Sequence, residues 1–153
     1  MKNTFTILGC GSSLGAPWIT NFNGNLKKNK KNVRTRCCAH IKKGDLSVLI
    51  DTSPDIKYQF LMNKINSLDA IIYTHEHADH TAGIDDIRPF FFKQGDIPVF
   101  GSKRVLDNLS KRFDYIFSKE NKYPGAPSVL VNKVEAPFDF MNKVVVPINV
   151  MHN

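Results

Sequence analysis

Residues 74–80 read Thr-His-Glu-His-Ala-Asp-His, so three of the chain's five histidines fall within six positions. Neutral imidazole is the commonest metal ligand among side chains. Imidazoles joined by a carboxylate, with no thiolate, suit zinc or a similar borderline cation. On a helix, His75 and His77 would point to different faces, and pairs spaced by three or four would not bring all the ligands to one ion. On a loop leaving a strand, alternate residues project together, so His75 and His77 can address one position. Asp79 and His80, beyond a bend at Ala78, can address a second position nearby. The spacing therefore predicts two metal positions rather than one. A cation with an open coordination position lowers the pKa of bound water to about 7, and two such ions can share a hydroxide and clamp a phosphoryl oxygen. Dense spacing directly behind an apolar strand argues against surface histidines without a role.

The element that must carry this loop is the apolar run at 70–73, short enough for a fully buried strand. Residues 4–8 read as a strand closed by a glycine-rich turn. Residues 38–41 and 46–50 flank Lys43-Gly44-Asp45 as a hairpin. After Pro54, the positions Ile56, Phe60, Leu61 and Ile65 keep helical spacing. A further helix is expected from about Thr81, carrying Ile84, Ile87 and Phe91 and kinked at Pro89. Ser102 is expected to cap a helix reaching about Phe113. Strands are expected at 98–100, 128–134 and 143–150, and the stretch 21–32 has no hydrophobic period. Strands followed by alternating strands and helices indicate an α/β sheet protein.

A length of 153 residues allows one domain with a hydrophobic core. The 42% hydrophobic content is that of a globular chain, and no apolar run is long enough to span a membrane. The N-terminus makes a poor signal peptide, so a cytoplasmic location is expected. Three cysteines without a CxxC pair exclude a disulfide framework and a cysteine-built zinc knuckle. Cys10 and Cys37 are expected as buried small residues, and His40 as a satisfied core histidine. The aromatic run at 90–92 is expected in the core or an interface. The glycines at 9, 11 and 15 miss the dinucleotide-binding spacing by one residue. Of the +7 net charge, much sits in Lys27, Lys28, Lys30, Lys31, Arg34 and Arg36. A solvated loop is the expected form of this segment, with an anion-attracting rim for a phosphate-bearing substrate or RNA as the alternative.

The pattern HxHxDH resembles the signature of the metallo-β-lactamase superfamily of metal-dependent hydrolases. The turn at 8–13, the strand end Ile50-Asp51-Thr52-Ser53-Pro54-Asp55 and the continuation at 80–88 resemble one branch of it, the phosphoribosyl cyclic phosphate phosphodiesterases, with the tRNA 3′-processing endonucleases as cousins. The resemblance implies an αββα sandwich of which this chain supplies the N-terminal portion. It implies two zinc ions, with manganese as an alternative. His75, His77 and His152 would bind the first, and Asp79 and His80 the second. Asp51 would orient these ligands, as supporting hydrogen bonds do in metal sites; a plain turn residue is the other reading of Asp51. The implied reaction is attack of a metal-bound hydroxide on the phosphorus of a small cyclic or linear phosphodiester, with Asp79 aligning the hydroxide. Members of the family continue past the histidine equivalent to His152 with an aspartate that bridges the metals and a last histidine. Their absence here is expected of either a shortened gene product or a fragment, whose exposed half-sandwich favours self-association or instability, with an inactive metal-binding remnant or an RNA-processing protein as alternative readings.

Overall fold

Strand-forming runs of β-branched and aromatic residues build a six-stranded sheet in the order β1-β2-β3-β4-β5-β6. The computed structural model describes residues 3–21, 30–120 and 123–152. β1 (Thr4–Gly9), β2 (Cys38–Lys43) and β3 (Leu46–Ile50) pair antiparallel. The expected hairpin turn is present, with Gly44 at φ 60°, a conformation that glycine adopts without strain. β4 (Ala70–Ile72), β5 (Ile97–Gly101) and β6 (Val129–Lys133) then add in parallel. Parallel strands end on the same side, so the loops leaving β3, β4 and β5 emerge together.

Period-two alternation gives the sheet two unlike faces. Leu49, Ile71, Val99 and Val129 point to one face and pack on Ile56, Phe60, Ile84, Ile87, Phe90, Leu106, Leu109 and Ile116. These belong to α1 (Ile56–Asn63), α3 (Arg88–Gln94), α4 (Lys103–Arg112), α5 (Asp114–Phe117) and the 3-10 turn Ile84–Ile87. On the other face Val48, Ala70 and Phe100 meet Phe138 and Phe140, carried by the hairpin of β7 (Phe138–Phe140) and β8 (Lys143–Val145). Phe5, Ile7 and Leu130 stay exposed.

Several elements depart from the expected bounds. α1 stops at Asn63 because Lys64 takes the left-handed conformation, and Leu61 is 72% exposed while Gln59 is buried. The expected helix after Thr81 is broken into a turn α2 (Ala78–Thr81), the 3-10 turn and α3. Pro89 stands at the start of α3, where its missing N–H costs nothing, rather than at a kink. The expected strand at 143–150 pairs only over Lys143–Val145; Pro147 has no N–H to give a ladder. Ser102 caps α4 as expected, accepting from the Val105 N–H at 3.3 Å. Of the expected unstructured stretch, residues 22–29, with Lys27 and Lys28, lie outside the described residues.

Two loops at the carboxyl ends of the strands are stitched backbone to backbone. The Thr52 N–H donates to His80 O at 2.7 Å, and the Gly83 N–H donates to Thr52 O at 2.9 Å. A Cβ on Gly83 would collide with the Ser53 carbonyl oxygen, so the close approach needs glycine. Gly83→Ala is expected to lose about 1–3 kcal/mol of stability by overpacking, read as a lower urea midpoint; an unchanged midpoint would refute the contact.

Candidate metal centre

The site is assembled around Asp51, the residue that follows β3. Its backbone holds φ 63°, its N–H donates to Ile72 O at 2.9 Å, and it is only 3% exposed. The carboxylate accepts from the Thr74 N–H at 2.8 Å and the Thr74 hydroxyl at 2.7 Å. His80 Nδ1 lies 2.7 Å from the same carboxylate. An ionised carboxylate only accepts, so Nδ1 carries the proton and Nε2 is left to bind an ion. The hydrogen bond to Asp51 raises the His80 pKa, outweighing the opposing effect of burial.

Residues 74–77 leave β4 without regular structure, and His77 is extended at φ −64°, ψ 152°. The loop expected over the whole histidine segment thus ends at His77. Its carbonyl accepts from the His80 N–H at 3.1 Å and the Thr81 hydroxyl at 2.9 Å. The turn of α2 then carries Asp79 and His80.

The structure brings His75, His77, His80 and His152 together, while Asp79 belongs to neither group of converging ligand atoms and Asp51 stands in the second group instead. His75, His77 and His152 form one group with ligand atoms within 4.8 Å of one another, and Asp51, His75 and His80 form a second. The His75 ring centroid is 4.7 Å from His77, 4.1 Å from His80 and 4.7 Å from His152. His152 Nε2 is 3.4 Å from His77 Nδ1, across 75 residues of sequence. Asp79 Oδ2 is 3.4 Å from His80 Nε2. Burial, followed by the charge of His80, lowers the His75 pKa, which favours the neutral ligand form. Imidazoles converging with a carboxylate and no thiolate fit zinc or manganese. A cavity of about 670 Å³ opens over the cluster, lined among others by Thr74, His75, His77, His80, Arg104 and His152.

His40 is the satisfied core histidine expected: it is buried, Nε2 lies 2.8 Å from Ser47 Oγ, and burial lowers its pKa. Cys10 corrects the expectation of burial. It is exposed and accepts from the Arg34 guanidinium at 3.4 Å, because the turn after β1 lies at the surface. Cys37 is half-buried, and Cys38 is buried with its thiol pushed up to about 12. Arg36 is not a freely solvated cation: its Nε donates to Asp55 at 2.8 Å and its Nη2 at 2.5 Å. Sequence reasoning missed Glu76 and Arg104, which pair at 2.8 Å beside the cluster. Their separation of 28 residues left no local signal.

Residues 47–153 match the family model of the β-lactamase superfamily domain. The chain belongs to the β-lactamase superfamily. Its fold is the expected metallo-β-lactamase fold, of which the chain supplies a part. A solved diphosphatase from the PhnP family is 31% identical, with a TM-score of 0.83 over 99% of this chain and 58% of that one. An octanoyltransferase from Porphyromonas gingivalis is 35% identical over 95% of this chain and 30% of that protein. Zn2+-bound PqqB from Methylobacterium extorquens shares the fold at 17% identity and a TM-score of 0.64, over 90% of this chain and 48% of that one. This superfamily chain therefore spans under two thirds of the length of each. Among the described residues, no helix is long and apolar enough to cross a membrane.

Asp51→Asn keeps the shape and tolerates the left-handed backbone while removing the charge that fixes the His80 tautomer. Zinc affinity is expected to fall about 10–100-fold in a competition titration with a chromophoric chelator; wild-type affinity would show that Asp51 is a turn residue only.

Proposed function

We propose that this chain is a metal-dependent hydrolase of small cyclic or linear phosphodiesters. The observation that carries this reading is the convergence of His152 on His75 and His77 from a distant part of the chain. His75, His77 and His152 would hold one ion, and Asp79 with His80 a second, with zinc favoured and manganese the alternative. Such ions acidify water to near-neutral pKa and offset the charge that develops on a phosphoryl group. The chain's own residues do the rest. Asp51 orients His80 and tethers Thr74, and so sets the direction from which the loop presents its ligands. Asp79 is mostly buried, with a side-chain exposure of 16%, and its carboxylate can align the attacking water and accept its proton. No covalent enzyme intermediate is required. The likeness to the diphosphatase supports phosphorus chemistry, and the net charge of +7 suits an anionic substrate.

A second reading is a metal-binding protein without turnover. Asp79 and His80 supply fewer ligands to the second position than three imidazoles supply to the first, which favours single-metal binding. RNA is less supported as a substrate, since Arg36 of the expected basic rim is occupied by Asp55.

His77→Ala is expected to remove the first ion and to lower hydrolysis of bis(p-nitrophenyl) phosphate by roughly 100-fold or more. Zinc per chain by atomic emission and the rate of p-nitrophenol release are the two measurements. Full zinc in the variant would sink the ligand assignment. One ion per wild-type chain without p-nitrophenol release would favour the second reading.

A further inference from the structure

One wall of the cavity over the histidines serves no ligand role. Arg104, in the first turn of α4, lines it together with Ser102, Val105 and residues 148–151. Arg104 Nε and Nη2 both donate to Glu76 Oε1, at 3.1 and 2.8 Å. Glu76 stands between His75 and His77, so this pair joins α4 to the loop that carries them. Spending two N–H groups on one oxygen leaves the other guanidinium donors free, and the side chain is 76% exposed. Among the described residues lining the cavity, Arg104 is the lone lysine or arginine and Glu76 the lone carboxylate. As an exposed salt bridge the pair contributes little to stability. Its place in the cavity is what distinguishes it: Glu76 holds a planar, permanently charged group in one orientation beside the histidines. That geometry is suited to paired hydrogen bonds with phosphate oxygens.

We propose that Arg104 is the anion anchor of this site, binding non-bridging phosphate oxygens of the substrate and selecting phosphate esters over neutral ones. The proposal rests on the phosphodiester reading above and names the residue through which the charge is recognised. The hydrogen bonds of the guanidinium go to Glu76 and none to a histidine ring among the described residues, so its loss is expected to remove an anion contact and to leave the metal ligands in place.

The test is a calorimetric titration of the zinc-supplemented full chain with inorganic phosphate, with zinc content measured on every variant. Arg104→Met is expected to weaken phosphate binding about tenfold, the loss of one charged hydrogen-bonding group, with zinc content unchanged. Arg104→Lys keeps the charge without the fork and should fall between the two. Lys103→Gln removes a neighbouring charge that is bonded to Asp107 at 2.6 Å and does not line the cavity, so it should bind phosphate as the wild type does. Equal affinity in wild type and Arg104→Met overturns the proposal, as does the absence of phosphate binding by the wild type. An equal loss in Lys103→Gln would mean that general charge, not an anchor, attracts the anion. Loss of zinc from Arg104→Met would make Arg104 a prop for the metal loop instead. Failure of the hydrolase reading shows separately, as a wild type that binds phosphate through Arg104 yet turns over no phosphodiester.

Discussion

The buried carboxylate of Asp51 is the constraint on which the site depends. A carboxylate taken out of water is costly unless its oxygens are met by donors, and here Thr74 and His80 supply them. That requirement can be satisfied only if β3 and β4 end side by side and the following loop turns back after His77. The same hydrogen bonds that satisfy the carboxylate set the tautomer of His80 and tether the residue before His75. The left-handed backbone at Asp51 is a strained conformation for a residue with a side chain, of the kind that persists where the surroundings over-determine it.

Everything around this interaction follows from parallel strand ends. Ile50 pairs with Ile72, and Ile72 with Phe100, so the residues that follow them share one edge of the sheet. Asp51, the 74–77 loop and the start of α4 therefore meet at the carboxyl ends of neighbouring strands, the usual place for a site in an open α/β sheet. The helical layer keeps them there. Ile84 and Ile87, just past the histidine loop, are fully buried among Ile56, Phe60 and Leu106, and the glycine contact at Ser53 locks the two loops against each other.

The opposite face of the sheet is less complete. The row Phe5, Ile41, Val48 and Ala70 runs across four strands in register, and the β7–β8 hairpin covers the Val48, Ala70 and Phe100 end of that face. Exposed apolar residues on the same face, Phe5, Ile7 and Leu130, form the kind of surface that associates with other apolar surface. The chain spans 58% of the similar diphosphatase, which shares this sheet.

What the sequence determined by itself was local. Alternation brought His75 and His77 to one side, the apolar run at 70–73 marked the buried strand behind them, Lys43-Gly44-Asp45 set the hairpin, and Ser102 announced a helix. Each of these depends on neighbours within a few residues, where backbone geometry alone decides which side chains share a direction. The family resemblance then assigned His152 and Asp51, which no local spacing connects to the loop. Tertiary structure decided the rest. It broke the helix expected after Thr81, because burying Ile84 and Ile87 and starting a helix at Pro89 outweighed continuous helical spacing. It left residues 146–150 without a strand partner and brought Cys10 to the surface. It also joined Arg36 to Asp55 and Arg104 to Glu76, pairs separated by 19 and 28 residues. Charge partners at such distances are chosen by which strand ends lie together, and that is a property of the folded sheet.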